Sequence, residues 1–242
     1  MTRVRALVLA GLYAVAARAL AHDMITAEEA ERYLAQVDQA VAIIKSREPA
    51  LRRAQADVTL GRMLDDIRDL LNRDLAAHGK VQGLPSNYLV AELRRRGAPL
   101  NFARERFMAN VGYYRDALKL APDGPHAAEA MLRWMRGAFY DSFDGDPLEG
   151  QGQTPEQLSE QLALGERFVQ RYPTHPEIEE AKFILLVQTI RAANAAADAA
   201  SRAALSARAR AAGQELATRY PDSMRAAAVP VLIERLPATS TR

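Results

Sequence analysis

Three prolines, Pro122, Pro173 and Pro221, restrict what this chain can fold into more than any other feature. Aligning the sequence on them brings residue classes into step. Four positions before each proline stands an apolar residue (Leu118, Val169, Ala217), and eight before the later two stands a glycine (Gly165, Gly213). The later two junctions are Tyr172-Pro173 and Tyr220-Pro221. Beyond each proline a second apolar set begins: Ala127, Ala130 and Leu132, then Ile178, Ala181 and Leu185, then Ala226, Val229 and Leu232. Proline lacks an N–H and pushes its predecessor out of the α region, so it ends a helix. After Thr174 and His175, Pro176 falls at the first position of the next helix, where a missing donor does no harm. Each unit therefore reads as helix, proline-marked turn, helix. Helices joined this tightly run antiparallel, and a lone pair leaves apolar faces bare, so neighbouring pairs have to stack. Glycine inside a helix costs roughly 1 kcal/mol relative to alanine. Gly165 and Gly213 at one repeat position thus predict another helix backbone passing over both.

The run Phe168-x-x-x-Tyr172-Pro173-x-His175-Pro176, with Ala181 in the following helix, resembles the tetratricopeptide-type repeats of bacterial envelope proteins. The nearest likenesses are the outer-membrane-assembly lipoprotein of the BamD type and the C-terminal repeats of Tol-associated periplasmic coordinators. The first copy, from Tyr114 through Ala117, Leu118, Leu120 and Ala121 to Pro122, is similar to the end of an ordinary tetratricopeptide repeat. The likeness spans residues 102–236. Its prolines lie 51 and then 48 residues apart, against roughly 34 for a standard repeat, so the units carry insertions or longer helices. The resemblance implies an all-α, TPR-like solenoid of antiparallel helix pairs that binds other proteins.

Composition supports helices: alanine and arginine abound, both strong helix formers, and alternating β-branched runs are absent. The N-terminus has the form of a secretory signal: Arg3 and Arg5, then an apolar run from Ala6 to Ala17, then Ala19-Leu20-Ala21. Its apolar stretch is shorter than the roughly 20 residues needed to span a bilayer. Cleavage is expected before His22, giving a soluble periplasmic protein. No cysteine follows, so lipidation of the BamD kind is impossible, as are disulfides and thiolate metal sites. Cleavage removes Arg3, Arg5 and Arg18, taking the 32 basic residues to 29 against 30 acidic ones. Near-neutral charge gives no support for nucleic-acid binding, and Arg94-Arg95-Arg96 reads as a solvated helix end favoured by the macrodipole.

The expected organisation is a signal peptide at residues 1–21, an N-terminal helical hairpin with a connecting short helix at 22–98, the repeats at 99–237 and a frayed tail at 238–242. Thr26-x-x-Glu29 is a capping box, followed by a stripe of Tyr33, Leu34, Val37, Val41 and Ile44. Glu48-Pro49 breaks into a second helix carrying Leu51, Val58, Met63, Ile67, Leu70, Leu71 and Leu75, ended by Gly79. The hairpin caps the repeats or pairs with another chain. Ser86 is expected to cap a helix over Asn87 to Arg96, and Asn101 one carrying Phe102, Phe107, Val111, Tyr114 and Leu118. Trp134 reads as core. Asp144 to Gln153 reads as a flexible, solvated loop; its acids miss the EF-hand register. Thr154-Pro155-Glu156-Gln157 restarts the helix, and the alanine-rich stretch from Ala192 to Ala212 reads as two helices meeting near Asn194 to Ser201.

Chemistry is sparse. His22, His78, His126 and His175 follow no metal-binding interval. If cleavage exposes His22, its amino group and imidazole form a copper-type pair, which is the minor alternative: a metal-handling or cell-wall protein built on a helical array. No nucleophile elbow, zinc-protease motif or phosphate-cradling loop occurs, and Asp65-Asp66 and Glu179-Glu180 read as solvated helix faces. The expectation is a non-enzymatic scaffold without cofactor or metal. Its groove is lined by the first helix of each pair around Tyr113, Arg167, Gln170, Gln214 and Arg219, and it holds a protein or peptide of the cell envelope.

Overall fold

The computed structural model describes residues 25–81, 84–150 and 152–237. The expected signal peptide, His22 and the tail at 238–242 lie outside them. The described residues are mostly helical, with nine helices and a two-stranded hairpin among them. Contacts divide the chain into two compact units, residues 1–113 and 114–242. Residues 99–113, grouped above with the repeats, fall in the first.

In the first unit, α1 (Ala27–Lys45) starts at the capping box: the Glu29 amide donates to Thr26 Oγ1 at 3.1 Å, and the Thr26 amide to the Glu29 carboxylate at 2.9 Å. A short link through Pro49 turns the chain back into α2 (Ala50–His78), which Gly79 closes in the left-handed conformation at φ 69°. α3 (Leu84–Arg95) packs on α1. Leu34, Val37, Leu60, Leu64, Ile67, Leu71, Leu89 and Leu93 form the core. Leu51, expected on the apolar face, sits in the first turn of α2 and is half exposed. Ser86 is buried inside α3 instead of capping it; Pro85 is tolerated in a first helical turn, so the helix begins earlier.

The helix expected from Asn101 gives way to a hairpin. β1 (Asn101–Ala103) pairs antiparallel with β2 (Arg106–Met108), Phe102 opposite Phe107, around Arg104 and Glu105, which take positive φ of 52° and 60°. A spacing of five between the phenylalanines fits no single helix face, whereas across a hairpin their rings meet edge to face at 5.0 Å. The Asn72 carboxamide of α2 holds the outer edge of β2, accepting the Phe107 N–H at 2.8 Å and donating to its carbonyl at 2.7 Å. Only after this does α4 (Gly112–Leu120) begin.

The second unit continues with α5 (Ala127–Tyr140), α6 (Pro155–Arg171), α7 (Ile178–Ala195), α8 (Ala199–Arg219) and α9 (Met224–Glu234). Pro122, Pro173 and Pro221 lie in the turns α4/α5, α6/α7 and α8/α9. From α5 onward each helix packs on the next, and α7 also packs on both α5 and α9. The position that is buried in every copy is five before the proline: Ala117, Phe168 and Leu216 are 3%, 0% and 1% exposed. Four before, exposure rises from buried Leu118 to exposed Ala217, so the apolar register is one residue earlier than the sequence alignment suggested. Gly165 and Gly213 do sit at close approaches, but side chains cross them, not a backbone. A Cβ on Gly165 would lie 3.1 Å from Leu185 Cδ1 and 3.4 Å from Met135 Cε; one on Gly213 would lie 2.9 Å from Val229 Cγ1. Thr154 and Gln157 form the second capping box, with Pro155 in the first turn. The alanine-rich stretch folds as the end of α7 and as α8, which Asp198 caps by accepting the Ser201 N–H at 2.7 Å.

Candidate binding surface of the helical array

Neighbouring first helices are joined by a repeated ion pair. Arg115 of α4 meets Glu160 of α6 at 3.0 Å, and Glu166 of α6 meets Arg208 of α8 at 2.5 Å. On the proline alignment Arg115 and Glu166 share one repeat position and Glu160 and Arg208 share another, so this is one rung built twice with its charges reversed. Exposed pairs of this kind contribute below about 1 kcal/mol; their value is that they show which faces adjoin. Arg115 also lies over the Trp134 ring at 5.0 Å, and Trp134 is buried as expected.

Of the five expected groove residues, Arg167 and Gln170 are exposed on α6, and Gln214 and Arg219 are exposed on α8. Arg219 stacks on Tyr220 at 5.8 Å. Tyr113 belongs to the first unit, where it packs on that core and its hydroxyl donates to the Gly97 carbonyl at 3.3 Å. Tyr172 and Tyr220 close α6 and α8 in the same way, each donating its backbone N–H to the residue four earlier, Phe168 or Leu216.

A carboxylate that sequence reasoning placed in solvent joins the second helices. Glu180, in the first turn of α7, is buried. It accepts from Arg136 of α5 and from the Tyr140 hydroxyl at 3.0 Å, and Arg225 of α9 lies 3.4 Å away. Burial by itself raises a carboxyl pKa, but the Arg136 guanidinium outweighs it and holds Glu180 below the ordinary range. Burial and the Glu180 charge push the Tyr140 hydroxyl up. Nothing local in Glu179-Glu180 marks this role; only the stacking of α5, α7 and α9 creates it.

The loop from Asp144 to Gln153 is tied down instead of free. Arg191 of α7, 5% exposed, reaches into it. Its Nε donates to the Pro147 carbonyl at 2.7 Å, and its Nη1 to Ser142 Oγ at 2.8 Å and Gln153 Oε1 at 2.9 Å. The guanidinium lies over Phe139 and Phe143, at 5.3 Å and 5.6 Å. Burial pushes its pKa down to about 10, so it stays charged at neutral pH. Asp146 accepts the Leu148 N–H at 2.9 Å and pairs with Arg235, which together hold its carboxyl below the usual range.

Among the described residues no group of three or more acidic or histidine side chains is arranged to hold a metal ion. His175 lies edge-on to Phe168 at 5.3 Å and accepts the Glu177 N–H at 3.1 Å. In the first unit a cavity of about 310 Å³ opens between α1 and α2, floored by Ala40, Ala56 and Met63 and rimmed by Gln36, Gln39 and Gln55. No described helix is long and apolar enough to cross a membrane. No protein-family model matches the chain, and no curated protein or solved structure matches it significantly.

Proposed function

We propose that the chain is an exported, periplasmic scaffold of tetratricopeptide-like repeats that binds a protein or peptide of the cell envelope and catalyses no reaction. The observation that carries this reading is the twice-built rung between first helices, Arg115 with Glu160 and Glu166 with Arg208, at matching repeat positions. Stacked pairs present their first helices side by side, and here α6 and α8 offer Arg167, Gln170, Gln214 and Arg219 to solvent. Guanidinium and carboxamide groups suit carboxylates and peptide backbone. Export is supported by the signal-like N-terminus, with Arg3 and Arg5 ahead of the apolar run from Ala6 to Ala17.

A photo-crosslinking amino acid at Gln170, followed by capture from envelope extract, tests the binding surface. The expected result is a specific protein adduct that falls at least tenfold in an Arg167→Glu, Arg219→Glu variant whose circular dichroism melt is unchanged. An adduct pattern unaffected by the double substitution, or no adduct at all, contradicts the reading. Mass spectrometry of the mature protein is expected to find His22 at the N-terminus.

A further inference from the structure

Among the described residues α9 is the last helix of the array, and it is barer than either counterpart. On the proline alignment Leu132, Phe183 and Val231 share one position, and Met135, Leu186 and Glu234 another. Leu132 and Met135 are each 2% exposed and Leu186 is fully buried, whereas Val231 is 63% exposed and Glu234 lies in solvent. In the earlier copies the following first helix covers this face. Met135 of α5 packs at Gly165 of α6, and Lys182 of α7 reaches Glu215 of α8. Among the described residues nothing covers it on α9. Met224, 91% exposed, extends the bare stripe through Ala227 to Val231, an interval of three and then four that keeps one helical face.

The first helices end on a matching vacancy. Gln214 occupies the repeat position of Arg115 and Glu166, each of which pairs with the next first helix. It is exposed on α8, with no further helix of the array beyond it among the described residues. The two vacancies adjoin, because α8 and α9 pack together.

Resting on the stacked-repeat reading, we infer that the α8–α9 end docks one amphipathic helix of a partner protein, laid where the first helix of a fourth pair would run. The uncovered face continues an interface that the chain itself builds twice. The docked helix needs an apolar stripe for Met224 and Val231, a small residue where it crosses the second-helix face, as Gly165 is against Met135, and a hydrogen-bonding side chain for Gln214. A second copy of the protein fits less well. α9 has 11 residues, about 16 Å of helix, and pairing two such stripes falls well below the roughly 1,200 Å² of a stable dimer.

The test uses the mature chain and, as probe, a fluorescent helix-stabilised peptide of residues 155–171, whose place in the chain is over the α5 face. Fluorescence anisotropy is expected to show saturable binding with a Kd on the order of 10 μM, as for a small transient interface. Val231→Asp, at an exposed site, weakens binding at least tenfold, and Gln214→Ala weakens it about threefold. Equal binding to the Val231→Asp variant, or no binding, overturns the inference. So does a dimer of the chain itself that Val231→Asp dissolves, which assigns the face to a second copy. A flexible bismaleimide crosslink between Glu166→Cys and Arg208→Cys, long enough to span the reach of the ion pair it replaces, in a chain without native cysteine, separates the levels. If it forms while the peptide fails to bind, the docking site falls and the stacking stands; if it fails to form, both fall.

Discussion

The first unit closes around leucine, isoleucine and valine side chains at helical spacing; its hairpin is fastened by a neutral carboxamide, Asn72, and Arg96, just past α3, adds a charged tie to Asp38 of α1 at 3.0 Å. The second unit closes around repeat positions, and its helices are also tied by charged groups: Glu180 between α5, α7 and α9, Arg191 into the loop after α5, and the rungs between first helices. A single stripe determines how two helices meet. A stack of pairs has to determine in addition which pair follows which, and directional polar contacts between successive pairs distinguish neighbours that apolar faces alone would not.

Substitutions of decreasing effect sharpen this contrast. Phe168→Ala empties the most buried repeat position and is expected to cost about 4 kcal/mol, read by the fluorescence of Trp134, the only tryptophan. Leu64→Ala is expected to cost about 3 kcal/mol in the first unit, read by hydrogen exchange of α2 amides. Equal effects of both substitutions on both readouts would erase the distinction between the units.

Glu180→Ala leaves Arg136, Tyr140 and Arg225 without their shared acceptor and is expected to cost about 2 kcal/mol. Because its folded pKa is depressed, Glu180 stabilises the fold above the unfolded carboxyl value near 4.3, and this contribution is lost as pH falls from there through the lowered folded value. Denaturant melts between about pH 5 and 3 should therefore fall less steeply for Glu180→Gln than for wild type. Arg191→Met removes four hydrogen bonds and also the cost of burying a cation. These effects oppose, so stability drops by only about 1 kcal/mol, while proteolysis within residues 144–153 accelerates. Arg208→Glu costs about 0.5 kcal/mol, recovered by adding Glu166→Arg and diminished in 1 M salt.

What could be read from the sequence was whatever rests on a few neighbouring residues. Both capping boxes, the left-handed Gly79, the three proline turns and the burial of Trp134 follow from local rules, and the structure has each of them. The features the sequence left hidden depend on partners far along the chain. Phe102 and Phe107 looked like parts of a helix because neither Asn72, 35 residues before Phe107, nor the turn at Arg104 and Glu105 announces itself. Glu180 looked solvated because its partners stand 40, 44 and 45 residues away, and the loop after α5 looked free because Arg191 lies within an ordinary apolar helix. Arg167, Gln170, Gln214 and Arg219 were chosen through the repeat register, which is itself local, and they lie exposed on α6 and α8, whereas Tyr113 falls in the first unit.

Spin labels placed pairwise at Arg115, Glu166 and Gln214 measure the arrangement on which the rest depends. Stacked first helices give equal spacings for the two neighbouring pairs and close to twice that for Arg115 and Gln214. An outer spacing no longer than the inner ones, or two unequal inner spacings, would mean that the three proline-marked pairs do not form a stack.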